Sequence, residues 1–304
     1  MVSPHFLQPK KVLKNLEESH PQFLNDTFCD PYSGCEFGCL YCYGLKEEII
    51  DQEKDATSPY RVGIKTSCAY SFKNELLAQK SAGESEKKIA IGFGFATDPY
   101  QPCEEQYQLT QRCLEIAKDQ SLPIQILTKS ELVLRDKGIL SELSQQGLCV
   151  VSVSLFTTRT EIADLFEPRV PSPQKRLELI QNLRAENIVC GAHLMPIFPY
   201  LTDSEEELDS LFSQLKSHGA LYGVPGILSL AHPPVQKRVT LVLQEKFSRT
   251  LGQYEALYDN LGRPALNYCE RIEKIFNRLS EKYSIPLTLP VQNRGKQSFL
   301  VKDS

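Results

Sequence analysis

The sequence predicts an α/β protein built on a parallel sheet, and three observations support that reading. Apolar runs of strand length recur at residues 89 to 96, 124 to 127, 150 to 156, 189 to 197 and 227 to 230. Segments with helical periodicity separate them, and strand, helix, strand repeated in this way specifies parallel pairing through crossover helices. Residues suited to chemistry fall where the runs end: Thr97-Asp98 after the first, Lys129 after the second, Ser154 near the end of the third, and Pro196 to Pro199 at the close of the fourth. In barrel-like sheets the working loops collect at those C-terminal strand ends.

The helical segments follow in order. Residues 104 to 118 place Leu109, Cys113, Ile116 and Ala117 on one face, with Glu104 and Glu105 in the first turn, where carboxylates suit the helix dipole. Ser172 followed by Pro173 reads as N-cap and first helical residue, opening a helix through Leu177, Ile180 and Leu183. Thr202 with Glu205 reads as a capping box for the next helix. Two more helical stretches, about 235 to 258 and 265 to 283, come after the last apolar run. The expected division is an N-terminal extension over 1–24, an α/β body over 25–230 and a mainly helical C-terminal cap over 231–304.

At 304 residues, 41% of them hydrophobic, the chain can bury a sizeable core without disulfides. Residues 1 to 19 are charged and lack an apolar signal region, and no run approaches a membrane span, so a cytoplasmic protein with no membrane partner is expected. Ten cysteines in a reducing compartment suggest cluster ligation and burial. The net charge of -4 argues against general attraction to nucleic-acid phosphates. Residues 231 to 304 are locally basic, with 12 Lys and Arg against 7 Asp and Glu, which suits either an anionic substrate or a solvated helical surface.

The densest chemistry lies in Cys35-Glu36-Phe37-Gly38-Cys39-Leu40-Tyr41-Cys42. The spacing C-x3-C-x2-C sets three thiolates on one short loop around a common centre. Iron-sulfur clusters are held by cysteine thiolates, normally four, so three leave one iron of a cubane open to another ligand. Gly34 and Gly38 let the backbone approach a bulky inorganic core. Cys29, six residues upstream of Cys35, leaves a competing reading open: a structural zinc site with four thiolates. Cys68, Cys103, Cys113, Cys149, Cys190 and Cys269 are scattered and read mostly as small buried hydrophobes.

The segment from Asp30 to Gly44 resembles the cluster loop of radical S-adenosylmethionine (SAM) enzymes, in the branch related to spore photoproduct lyase and described as DNA-repair-photolyase-like. Later segments resemble that branch's signatures in its order: Thr97-Asp98-Pro99-Tyr100-Gln101-Pro102, Thr128-Lys129-Ser130, Arg135-Asp136, Ser152-Val153-Ser154, Glu167-Pro168-Arg169 and Met195-Pro196-Ile197-Phe198-Pro199. Ordered agreement over about residues 25 to 205 is far more specific than one cysteine motif.

The resemblance implies a partial (β/α)6 TIM-like barrel of the radical SAM type with a C-terminal helical extension. It also implies a [4Fe-4S] cluster on Cys35, Cys39 and Cys42, SAM as cofactor, and an electron donor such as flavodoxin or ferredoxin. The implied reaction is reductive cleavage of SAM to a 5'-deoxyadenosyl radical that takes hydrogen from an unidentified substrate, nucleotide-like or peptide. The cofactor-binding residues it points to are Tyr41, near adenine or bracing the loop; Thr97 and Asp98, near the methionine amino group or making a turn; Lys129, a counter-ion for a carboxylate; Ser154, near the carboxylate or ribose or satisfied by backbone; and Arg169, on cofactor or substrate. Arg135 with Asp136 reads as a structural pair and His193 as a core residue. Spore photoproduct lyase carries a hydrogen-donating cysteine just before its Ser/Thr-Asp pair, where this chain has Phe95 and Ala96. The nearest thiol, Cys103, lies after the pair, so thymine-dimer repair is not implied. Two rival classes remain: a non-catalytic iron-sulfur or zinc binding or sensing protein, and a nucleic-acid binder using the basic tail.

Overall fold

Strands covered by helices on both sides are buried on both faces, and so read as continuous apolar runs without alternation. The computed structural model describes residues 5–15, 24, 27–44, 62–81 and 90–290. Its elements in chain order are β1 (His5–Leu7), β2 (Leu13–Asn15), β3 (Thr27–Cys29), β4 (Tyr32–Ser33), β5 (Gly63–Lys65), α1 (Cys68–Ser81), β6 (Ile91–Phe93), α2 (Glu104–Tyr107), α3 (Leu109–Asp119) and β7 (Ile124–Thr128). A 3-10 turn (Glu131–Asp136) leads to α4 (Lys137–Gln145), β8 (Cys149–Ser154), α5 (Thr160–Phe166), α6 (Pro173–Ala185), β9 (Cys190–Ile197), α7 (Glu205–Ser217), β10 (Gly223–Ile227), α8 (Pro233–Lys246), α9 (Ser248–Leu257) and α10 (Leu266–Tyr283). Half of the N-terminal extension expected over 1–24 lies outside the described residues, and the described half supplies β1 and β2.

The main sheet runs β10-β9-β8-β7-β6-β3-β2. All its pairings are parallel except β2 with β3, which is antiparallel. Strands adjacent in sequence are adjacent in space, joined by helices, which is the winding of a partial TIM-like barrel. Among the described residues the sheet does not close, with β10 and β2 at its ends. A small second sheet, β1-β5-β4, stands beside the start of the cysteine loop.

The core lies between the sheet and its helices. Ile126, Val151, Val153, Ala192 and Leu194 from the strands pack with Leu140, Leu143, Leu177, Ile180, Leu183 and Phe212 from the helices. Near the functional end, Phe156, Phe166, Phe198, Leu228, Val235, Val239 and Tyr254 form a separate cluster that seats α8 and α9. On the far side, α10 lies against α7 through Arg278–Glu205 at 2.6 Å and Lys282–Asp209 at 2.5 Å. No helix among the described residues is long and apolar enough to cross a membrane.

Four local expectations change, one of them at Phe247, which divides the stretch expected over 235 to 258 into α8 and α9. The helix expected over 104 to 118 breaks at Gln108, which is left-handed at φ 51. The break lets the buried Glu104 carboxylate accept from the backbone N–H groups of Thr110 at 3.0 Å and Gln111 at 3.2 Å, so Glu104 caps α3 instead of supporting α2. The cap of α7 is Ser204, accepting from the Glu207 N–H at 3.2 Å, not Thr202. Thr202 Oγ1 accepts from the Phe198 N–H at 2.9 Å and pins the loop after β9. Ser172 does cap α6 with Pro173 behind it. The last strand begins earlier than its apolar run, because Gly223 and Pro225 interrupt the hydrophobic pattern within β10.

Candidate active site

β3 ends at Cys29, and the chain turns into the cysteine loop at the C-terminal edge of the parallel strands. An irregular loop cannot satisfy its own backbone, so its N–H and C=O groups need outside partners. Gly34 at φ 77 and Gly38 at φ 61 make turns that residues with a Cβ resist. The fully buried Gln101 side chain accepts from the Glu36 N–H at 2.9 Å and donates to the Gly34 carbonyl at 3.1 Å. The Leu40 N–H reaches the Phe166 carbonyl at 2.9 Å. From α8, Arg238 donates to the Leu40 carbonyl at 2.9 Å and the Cys42 carbonyl at 2.8 Å. Gly44 closes the loop where any Cβ would strike the Ala96 carbonyl.

Cys35, Cys39 and Cys42 act on one another electrostatically inside this frame. Burial pushes Cys35 up to about 12, with the Asp98 charge adding to it. Cys39 is raised well above the usual thiol range, first by burial, against the pull of Lys129 and with further push from Glu167, Cys42 and Cys35. At Cys35 and Cys39 the neutral thiol is therefore favoured until a cation arrives, the behaviour of metal-site ligands that lose protons on loading. Among the described residues, these three sulfurs are not all within 4.8 Å of one another. Half-buried and buried thiols, close-approach glycines and a cation beside Cys39 together fit an iron-sulfur cluster. Cys29 does not join them: its sulfur points to Cys68 and Cys113, which removes the four-thiolate zinc reading for this loop.

Around the thiols stand most of the polar residues singled out in the sequence. Asp98 accepts from Thr128 Oγ1 at 2.7 Å, the Lys129 N–H at 2.8 Å and the Tyr100 N–H at 2.9 Å, so it stitches the end of β6 to the end of β7. Burial pushes its carboxyl up, opposed by the Thr128 hydroxyl and the Lys129 charge. Burial works against the Lys129 ammonium, but Cys39, Glu167 and Asp98 outweigh it and hold the group above the usual lysine range. Its Nζ lies 5.8 Å from the centre of the Tyr41 ring. Thr97 Oγ1 is buried without a hydrogen-bond partner, a cost that a bound polar ligand would remove.

Tyr41 packs edge-on to Phe156 and Phe198 and donates its hydroxyl to Glu167. Glu167 is completed by Arg176, whose Nη2 lies 2.6 Å away, both side chains being essentially inaccessible. Arg176 Nη1 also donates to the Ser154 carbonyl at 2.8 Å, tying the end of β8 to α6. The Arg169 side chain, by contrast, is exposed. His193 is fully buried in β9, and Arg135 pairs with Asp136 at 2.8 Å and Glu104 at 2.7 Å, a structural network as expected. Cys103 packs beside Tyr32, Val62, Ile64 and Leu109, with its N–H on Glu36 at 2.6 Å. Sequence reasoning missed Gln101, Arg176 and Arg238. Gln101 stood inside a quoted motif; Arg176 had the signal of a charge on the apolar face of α6; Arg238 had none.

A family model described as the Radical SAM superfamily matches residues 30–212. An uncharacterized protein of Mycobacterium tuberculosis is 34% identical over 190 residues, covering 62% of this chain and 54% of that protein. The chain thus spans about half the length of the curated relative it matches. Among solved structures, spore photoproduct lyase complexed with dinucleoside spore photoproduct superposes with a TM-score of 0.67 at 15% identity, over 91% of this chain and 78% of that one. Streptococcus suis SuiB bound to precursor peptide SuiA gives a TM-score of 0.55 at 13% identity, over 86% and 47%. At such identities the likeness is one of fold.

Proposed function

Because this chain belongs to the radical SAM superfamily, whose enzymes use SAM, an iron-sulfur cluster and a reductant, we propose that it is a lyase-like radical SAM enzyme with a [4Fe-4S] cluster on Cys35, Cys39 and Cys42. When bound, the cluster and SAM supply reductive sulfonium cleavage and a 5'-deoxyadenosyl radical that takes hydrogen from substrate. The protein's own share is position, charge and exclusion of water.

The observation that best supports this reading is the Lys129 ammonium, held above its usual range by Cys39, beside Asp98, which accepts from the Lys129 N–H at 2.8 Å, with the unpartnered Thr97 hydroxyl one residue before Asp98. Lys129 would offer a compact cation to the carboxylate of a bound amino acid. Thr97 offers an acceptor to the ammonium end of an amino acid, and Asp98 fixes both neighbours. Ser154 ends the strand adjacent to the one that Lys129 follows and is the proposed partner of the carboxylate or ribose, and Tyr41 offers an aromatic face for a base. Arg169, exposed at the edge, fits contact with substrate better than with SAM. The substrate is nucleotide-like or peptide, delivered with an electron donor such as flavodoxin or ferredoxin, in the cytoplasm; residues 25–230 form the catalytic body and 231–304 a cap.

The test is anaerobic reconstitution, reduction and assay for 5'-deoxyadenosine. Product should form with four irons and four sulfides per chain, and disappear in Cys39→Ala. Absence of product from fully loaded protein, with zinc retained and no response to reductant, would favour a structural or sensing site instead.

A further inference from the structure

A second convergence of sulfur lies outside the site just described. The Sγ atoms of Cys29, Cys68 and Cys113 all lie within 4.8 Å of one another. Cys29 to Cys68 is 3.7 Å and Cys68 to Cys113 is 3.9 Å. Sulfurs that each stand about 2.3 Å from a common ion are separated by roughly 3.8 Å in tetrahedral and 4.0 Å in trigonal geometry. The observed spacing is that of one ion's ligand set. The residues come from three elements, the end of β3, the first residue of α1 and the middle of α3, and all three are fully buried in the layer between sheet and helices.

The surroundings favour anionic sulfur at Cys68, whereas Cys29 and Cys113 are held well above the ordinary thiol range and would lose their protons only to an arriving ion. Cys68 sits at the positive end of a fourteen-residue helix. Its hydrogen bonds with Cys113 and Cys29 hold the Cys68 thiol below its ordinary range, and the Lys65 charge acts in the same direction. Otherwise the lining is apolar, including Phe72, Phe93 and Leu114. Thiolate sets of this kind select soft ions, with zinc and copper(I) foremost.

We propose that Cys29, Cys68 and Cys113 form a three-thiolate site for a single thiophilic d10 ion, zinc(II) or copper(I), that fastens β3 to α1 and α3 behind the cysteine loop. Loading is non-redox: each S–H bond breaks as a metal–sulfur bond forms, and the protons pass to solvent. Zinc would leave the set with one net negative charge, matched by Lys65; copper(I) would accept three-coordination without a further ligand. The proposal is independent of the reaction assigned above.

Elemental analysis of the purified full-length protein carrying its cluster, followed by anaerobic titration with zinc and with copper(I) against chromophoric chelators, tests it. One equivalent of zinc or copper is expected beyond the iron, with an absorption-edge spectrum showing three sulfur neighbours at about 2.3 Å. In the Cys35→Ala/Cys39→Ala/Cys42→Ala background, which removes competing thiols, the stoichiometry should stay at one; it should fall to zero on adding Cys68→Ser and remain at one on adding Cys149→Ser. Retention of zinc alone or copper alone names the ion. No retained metal in the parent protein, a disulfide within the trio in place of metal, or undiminished binding after Cys68→Ser would each overturn the assignment, and the parent measurement stands even if a serine variant fails to fold.

Discussion

Replacing Arg176 with methionine should unfold the protein more readily than its distance from solvent and its place on a surface-lying helix would suggest. The guanidinium and the Glu167 carboxylate meet at 2.6 Å with 0% and 1% of their side chains exposed. Methionine fills much of the space but leaves a carboxylate in a low-dielectric interior with Tyr41 as its remaining donor. Removing one member of such a pair costs about 3–5 kcal/mol. With about 2–4 °C per kcal/mol for chains of this size, the midpoint should drop by roughly 6–20 °C. Urea unfolding followed by circular dichroism gives the free energy directly, and an unchanged slope would show that stability alone moved. Adding Glu167→Gln should recover most of the loss, since the orphaned charge goes with it. An Arg176→Met protein within about 1 kcal/mol of the parent would refute the reasoning, because that is the range of an exposed pair.

Other outcomes follow from the same geometry. Lys129→Met should weaken SAM binding by roughly 10- to 100-fold, the worth of a charged hydrogen bond, while leaving iron content unchanged; equilibrium dialysis with labelled SAM reads it. Ser204→Ala should cost about 1 kcal/mol through loss of the α7 cap, measured by chemical denaturation. The Asp209 carboxyl is held below its usual range by the hydrogen bond from Lys282. Its contribution is therefore complete above its unfolded value of about 3.9 and is lost as pH falls through the lower folded value. Asp209→Asn should flatten the acid limb of the melting profile below about pH 5 and leave it unchanged above.

How far the structure was legible in the sequence depends on the range of the interaction that fixes each residue. Short-range rules worked where one dipeptide decides the backbone, as at Ser172-Pro173, or where a buried strand leaves a continuous apolar run, as in β7, β8 and β9. They failed where a distant partner overrides local propensity. Glu104 looked like a first-turn carboxylate, but Arg135, thirty-one residues on, draws it inward and the helix breaks behind it. Cys29 looked like a neighbour of Cys35, but strand geometry turns it to the other side of the sheet, toward thiols 39 and 84 positions away. Near the cysteine loop, the position of Asp98 and Lys129 at neighbouring strand ends was legible, because strand-end loops follow directly from the apolar runs. The Glu167 partnership was not, since Arg169 lies two residues away and exposed, while Arg176 is brought inward by one face of α6.

The same reasoning explains why the segment after the last strand belongs to the site. The carbonyls of Leu40 and Cys42 flank the last two loop cysteines and have no ladder to join. A planar guanidinium with several N–H groups in fixed directions can satisfy both at once, which a lysine cannot. Arg238 does so from α8, across nearly two hundred residues of sequence. The apolar packing of Val235 and Val239 on either side of it against the cluster of Phe156 and Phe198 gives that arginine its fixed origin. The positive charge of this segment, read from composition as a solvated surface, is thus spent in part on backbone carbonyls at the cluster loop. A barrel cut after β10 would keep all three loop cysteines and lose the two hydrogen bonds that hold the backbone around the last of them.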